Sequence, residues 1–176
     1  CKNDCVFCDQ RKISGTQKPP EDLENFLFTS AEGLAGRFTS ADIAFFGGSF
    51  TGIEEPLMRY YLSAAKKTRE KYPEVTGIRL STRPDYISEH ILDILEEYGV
   101  TTIELGSQSM DDTVLLLSER NHTAEATVKA AKLIKSRGFS LVLQTMTGLP
   151  GDSREKDLMT ARKVAELCPD AVPIYP

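Results

Sequence analysis

Ile43-Ala44-Phe45-Phe46-Gly47-Gly48-Ser49 is an apolar run that stops abruptly in two glycines and a serine. A short apolar stretch bounded by a turn signal reads as a buried strand whose C-terminal exit opens into a polar loop. The same grammar recurs along the chain. Gly77 to Leu80 exits into Ser81-Thr82-Arg83-Pro84-Asp85, Thr101 to Leu105 into Gly106-Ser107-Gln108-Ser109, and Phe139 to Leu143 into the stretch from Gln144 to Gly151. A fifth strand is expected from Ala171 to Tyr175.

Helical periodicity fills the intervals. Glu21 to about Phe38 carries Leu23, Phe26, Leu27 and Leu34 on one side, and Glu54 to Tyr72 turns Leu57, Tyr61, Leu62 and Ala65 inward before the stop at Pro73. Ser88 caps a helix ending at Tyr98-Gly99, a short piece spans Asp111 to Leu117, and longer helices run from Thr123 to Arg137 and from Ser153 to Leu167. Strands that begin roughly every 25–40 residues and alternate with helices build a parallel sheet. An open sheet brings exits together only near a topological switch point, whereas a barrel gathers all of them on one face. Polar and glycine residues at four successive exits therefore predict an α/β fold of the partial TIM-type (β/α)6 barrel kind.

Before the first helix stands Cys1-Lys2-Asn3-Asp4-Cys5-Val6-Phe7-Cys8, with three of the chain's four cysteines spaced C-x3-C-x2-C. This loop occupies the slot of a first βα loop, which puts it on the same face as the other exits and places its own strand ahead of the chain. Thiolates spaced this closely, without disulfide character, read as metal ligands. Three is an informative number: a closed structural site takes four protein ligands, while a working metal site keeps a position open.

The chain has 176 residues, 40% of them hydrophobic and 27% charged, with a net charge of −5. That suffices for one domain over residues 1–176 with a sizeable core. The charge argues against a globally basic nucleic-acid binder. No apolar run suits a membrane span and no secretory leader is visible, so a reducing, cytoplasmic setting is expected. The start on cysteine and the stop at Ala-Val-Pro-Ile-Tyr-Pro suggest a piece of a larger protein. Basic residues cluster on two helices, at Arg59, Lys66, Lys67, Arg69 and Lys71 and at Lys129, Lys132, Lys135 and Arg137; a solvated outer face is the expected explanation. Arg11, Lys12 and Lys18 lie nearer the cysteines, where they would meet a phosphate-bearing substrate.

C-x3-C-x2-C with an aromatic, Phe7, before the last cysteine resembles the signature of radical S-adenosylmethionine (SAM) enzymes, and Gly47-Gly48-Ser49-Phe50 resembles their glycine-rich motif. The segments STRPDYI (81–87), IELGSQSMDD (103–112), ERNHT (119–123) and LQTMTGLPGD (143–152) are similar to the subgroup of the Elongator catalytic subunit, which is allied to oxygen-independent coproporphyrinogen dehydrogenase. The resemblance implies a 4Fe–4S cluster on Cys1, Cys5 and Cys8, with SAM chelating the fourth iron. An electron from a flavodoxin- or ferredoxin-like donor would then cleave SAM to a 5′-deoxyadenosyl radical. It further implies that Phe7 packs near the adenine, that the Gly47 and Gly48 carbonyls with Ser49 receive the SAM ammonium, and that Arg120 forks onto its carboxylate. Gln108 and Gln144 are expected at the ribose or carboxylate, and Ser81 stands where relatives often carry a carboxylate.

No side chain is singled out for catalysis. Arg83 and Asp85 pair with each other or touch the cofactor, Glu104 faces inward or outward according to register, and His90 and His122 are expected to be structural. The implied substrate is a transfer RNA wobble uridine, with an acetyltransferase domain in the parent chain. Two other readings stay open: a superfamily enzyme acting on a small molecule such as a porphyrinogen, and a non-catalytic iron–sulfur or zinc module drawing a fourth ligand from Cys168.

Overall fold

The computed structural model describes residues 5–9 and 20–176. Helix α1 (Leu23–Glu32) is followed by strand β1 (Ala41–Phe45), a 3-10 turn (Phe50–Gly52) and α2 (Glu55–Lys71). Then come β2 (Val75–Thr82), a second 3-10 turn (Pro84–Tyr86), α3 (Glu89–Glu97) and β3 (Thr102–Gln108). The chain continues through α4 (Asp112–Leu117), α5 (Ala124–Ser136), β4 (Ser140–Met146), α6 (Arg154–Glu166) and β5 (Ile174–Tyr175).

All strand pairs are parallel and the spatial order is β1-β2-β3-β4-β5, the same as the order along the chain. Each crossover joins neighbours and the order never reverses. With right-handed crossovers this puts the helices on one side of the sheet and the strand exits at one end. The sheet curls into a half-barrel of the TIM type.

Period-two alternation sorts the strand residues between two faces. Ile78, Leu80, Ile103, Leu105, Leu141 and Leu143 are fully buried on the convex face. They pack under Met58, Leu62 and Ala65 of α2, Leu92 and Leu95 of α3, Ala131 and Ile134 of α5, and Val164 of α6. The intervening positions, among them Asp42, Arg79, Glu104 and Gln144, face the concave side, where they bond to one another.

Helix starts follow their caps. The side chains of Asp22, Ser88, Asp111, Thr123 and Ser153 each accept from a main-chain N–H in the first turn. Several boundaries differ from the sequence expectation. Helix α1 ends at Glu32 and not near Phe38, because Gly33 caps it and Gly36 takes a left-handed φ of 71°. Leu57 and Phe26, expected inward, are exposed; Leu62 and Ala65 of α2 are buried as expected, and Met58 and Thr68 complete their stripe in place of Leu57. Gly106 to Gln108 and Gln144 lie inside β3 and β4 and not beyond them.

The basic helix clusters tie helices together. Arg137 meets Glu89, Asp93 and Glu96 of α3, Arg59 bridges Glu55 and Glu97, and Lys67 reaches Glu24 of α1. Exposed pairs of this kind contribute under about 1 kcal/mol each. Most of the stability comes from the convex core. Ile103→Ala, at the centre of that core, is expected to cost about 3 kcal/mol in urea denaturation with an unchanged m-value.

Candidate functional site

The cysteine turn sits at the exit end of the sheet. The Val6 N–H donates to the Ser118 carbonyl at the end of α4 (3.2 Å), and the Cys8 N–H donates to the Cys5 carbonyl (2.9 Å). Cys5 is buried and Cys8 half-buried. Burial pushes the Cys8 thiol up, the neighbouring Cys5 adds to this, and Arg120 opposes it. Cys1, the third predicted ligand, lies outside the described residues, as do Arg11, Lys12 and Lys18. Two soft thiols on one tight turn beside a guanidinium suit a thiolate-bound metal such as an iron–sulfur cluster. Cys168 follows the C-terminus of α6 and its carbonyl accepts from Lys135 near the C-terminus of α5, so it lies at the opposite end of the sheet from the turn.

Cys5 and Cys8 border a cavity of ≈ 250 Å³. Around it stand Phe7, Gly47, Gly48, Ser49, Ser81, Gln108, Arg120 and Gln144, every residue the sequence singled out for cofactor contact, together with Phe46, Thr82, Arg83 and Gly106. Gly47 and Gly48 have φ of 101° and 151°, a conformation that side chains disfavour, which bares the main chain at the β1 exit. The Ser81 hydroxyl, on the concave face of β2, is buried with no hydrogen-bond partner among the described residues. A bulge between Gly106 and Gln108 shifts the β3–β4 register. In it the Ser107 hydroxyl donates to the Gln144 carbonyl (2.7 Å), and Gln108, at a φ of 65°, turns into the cavity wall.

Arg120 is 7% exposed and held from several sides. Its flanking residues Glu119 and Asn121 both take left-handed φ, of 55° and 57°. Its N–H donates to the Leu115 carbonyl (2.9 Å), and its carbonyl accepts from Arg83 Nη2 (2.7 Å). Arg83 is itself buried and forks onto Asp85 at 2.9 and 3.0 Å. The Arg120 guanidinium thus approaches Cys5 Sγ at 3.6 Å, donates to the Gly106 carbonyl, and lies 6.0 Å from the Phe7 ring centroid. Burial lowers its pKa and the Cys5 thiol opposes this. Its Nε–H is buried with no partner among the described residues. The expected fork is therefore partly spent on the cysteine loop and on β3.

His122, at 9% exposed, has no well-formed hydrogen bond at either ring nitrogen among the described residues. Burial first, then Arg120 and Arg83, pull its pKa down to about 4, against a weaker opposite pull from Asp85. His90 lies on the surface against Glu55. Sequence reasoning passed over Arg83 as an anchor for Arg120. Its signal was Arg83-Pro84-Asp85, an ion pair spaced around a rigid residue.

Two predictions follow from the packing and charge here. A Cβ at Gly106 would lie 2.7 Å from both Arg120 Nη2 and Gln108 Nε2. Gly106→Ala is expected to destabilise by about 1–3 kcal/mol in thermal denaturation, whereas Gly33→Ala, whose Cβ has ordinary contacts, stays near wild type. With a folded pKa below the unfolded value, His122 contributes stability that is present above about pH 6.5 and is lost as pH falls towards 4. Wild type is expected to lose up to about 3 kcal/mol more than His122→Phe across that window, read from denaturation midpoints at each pH.

The comparisons agree with this architecture. A family model described as the radical SAM superfamily matches residues 1–164. A tRNA uridine(34) acetyltransferase from Dehalococcoides mccartyi is 33% identical over 150 residues, covering 81% of this chain and 33% of that protein. Elongator complex protein 3 of Mus musculus is 29% identical over 150 residues, covering 74% and 27%. The chain thus spans about a third or less of the length of these relatives. Among solved structures, the archaeal Elp3 of Methanocaldococcus infernus superposes with a TM-score of 0.75 at 27% identity, covering 90% of this chain and 44% of that one. Coproporphyrinogen III oxidase (HemN) from Escherichia coli, described as a radical SAM enzyme, superposes at 0.73 with 25% identity, covering 99% and 41%. The chain belongs to the radical SAM superfamily of enzymes.

Proposed function

We propose that this chain is the radical-generating core of a transfer RNA-modifying enzyme, holding a 4Fe–4S cluster on Cys1, Cys5 and Cys8 and SAM in the adjoining cavity. The observation that carries the reading is the convergence of Cys5 and Cys8 with Phe7, Gly47, Gly48, Ser49, Ser81, Gln108, Arg120 and Gln144, from six segments of the chain, on one cavity. When bound, the reduced cluster and SAM supply a 5′-deoxyadenosyl radical that abstracts hydrogen from a substrate.

The chain's own residues bind, orient and exclude water. Arg120 places positive charge against Cys5 and leaves Nε–H for the SAM carboxylate. The bare main chain at Gly47 and Gly48 offers carbonyls to the ammonium, with Ser49 beside it. Ser81, Gln108 and Gln144 supply the remaining polar contacts, and Phe7 and Phe46 wall off solvent. The substrate part of the reading rests on relatives named tRNA uridine(34) acetyltransferase and Elongator complex protein 3, and it brings with it an acetyltransferase domain elsewhere in the parent chain and a flavodoxin- or ferredoxin-like electron donor. The likeness to coproporphyrinogen III oxidase supports a second reading, the same core acting on a porphyrinogen.

Anaerobic reconstitution tests the core. Wild type is expected to take up about four irons per chain, to change its cluster spectrum on addition of SAM, and to release 5′-deoxyadenosine under reduction. Cys5→Ala should lose all three. Iron uptake near zero in wild type, or a cluster blind to SAM, would sink the reading. Stimulation of 5′-deoxyadenosine release by transfer RNA and not by porphyrinogen decides the substrate class.

A further inference from the structure

The concave face of the half-barrel carries a polar ladder that climbs towards the cavity. Asp42 Oδ2 on β1 lies 3.7 Å from Arg79 Nη1 on β2. The Arg79 fork closes on Glu104 Oε1 of β3, with Nε at 2.8 Å and Nη2 at 2.5 Å. Gln144 Nε2 of β4 donates to Glu104 Oε2 at 2.8 Å. Ala44 is registered with Arg79, Arg79 with Thr102, and Glu104 with Val142. Each contact therefore steps to the next strand and two residues upward, following the stagger of strands in a curled sheet. Gly77, registered with Asp42, keeps the lowest rung open, because a Cβ there would run into the Asp42 carboxylate. Only the top rung, Gln144, borders the cavity.

A primary amide has two chemically different ends, and its neighbour decides which end faces where. Arg79 is a donor only, and it occupies one oxygen of Glu104. The other oxygen is left as an acceptor, so Gln144 must turn its NH2 towards Glu104. We propose that Glu104, braced by Arg79, is a positioning residue that fixes the Gln144 amide with its carbonyl oxygen towards the cavity, making Gln144 an obligate acceptor for a ligand hydroxyl. Glu104 is 5% exposed and, among the described residues, hydrogen-bonds to the cavity wall through Gln144, so its effect on the ligand runs through Gln144. This deepens the proposed function and rests on SAM, whose hydroxyls are the donors in question, as the cavity's ligand.

The test is a double-mutant cycle in the full-length protein, with SAM affinity read by equilibrium dialysis. Glu104→Gln keeps its amide oxygen on the donor-only Arg79 and turns its NH2 towards Gln144, which inverts the Gln144 amide; it is expected to weaken SAM binding about tenfold. In a Gln144→Ala background the same change should cost less than about twofold, because its route to the ligand is gone. A second readout needs no ligand. The side-chain amide signal of Gln144, identified by its loss in Gln144→Ala, should show one proton shifted strongly downfield in wild type and not in Glu104→Gln. Glu104→Asp, which withdraws the carboxylate by one methylene, should give the same loss of signal if Glu104→Gln folds poorly. An equal loss of affinity in both backgrounds, or an amide signal indifferent to Glu104, overturns the proposal. If wild type binds no SAM, the functional reading fails while the amide signal still decides the positioning role.

Discussion

A parallel sheet that curls one way has two unlike faces, and everything in this molecule follows from how each is filled. The convex face is satisfied by helices: leucines and isoleucines on alternate strand positions meet apolar helix stripes and leave water entirely. Among the described residues, no helix covers the concave face. Its residues must hydrogen-bond among themselves or to a ligand, since polar groups out of water need partners. Here they do the first low in the half-barrel, through Asp42, Arg79 and Glu104; near the exits, at Ser81 and at Nε of Arg120, no partner stands among the described residues. The cavity lies at that end of the concave face.

The cysteine turn is secured by a second constraint, the buried Arg120. Its position is over-determined by the end of α4, the Arg83–Asp85 pair and the Gly106 carbonyl, which together hold it against Cys5. Gly106 matters because its missing side chain gives the guanidinium its space. Four segments distant in sequence thereby fix one cation beside one thiol. The strained φ values at Gln108, Glu119 and Asn121 fall in the same neighbourhood. Such outliers persist where the surroundings leave no alternative and often mark working sites.

Much of this was legible in the sequence, for identifiable reasons. Strand positions were readable because apolar runs end in Gly47-Gly48, Gly106 and the turn around Gly148, and helix starts because Ser88, Thr123 and Ser153 are capping residues. That Gly47, Gly48, Ser49, Ser81, Gln108 and Gln144 border one cavity was legible because a barrel sends its strand exits to one face; Phe7 and Arg120 were singled out by the family resemblance. What was not legible depended on register and on side-chain direction. Whether Glu104 faced in or out needed the strand pairing. Leu57 against Met58 was a choice of about 100° on a helix, which a mixed stripe of leucine, methionine and tyrosine does not settle. The bulge that turns Gln108 has no sequence signature beyond a glycine and a serine. Residues 10–19 and Cys1 lie outside the described residues, and with them the basic side chains Arg11, Lys12 and Lys18.

Charge links the two constraints. Arg83 and Arg120 are buried beside His122, and Asp85, at the edge of this group, takes the Arg83 fork. A third cation would be costly there: burial first, and then the two guanidiniums, pull the His122 pKa down to about 4. Arg120 carries its charge to Cys5 Sγ and to the cavity wall. A buried cation is stabilised by an anion held against it. Under the proposed function, the cysteine thiolates and the SAM carboxylate are the anions that would sit against Arg120, so the cation that helps hold the His122 pKa down would also favour their binding.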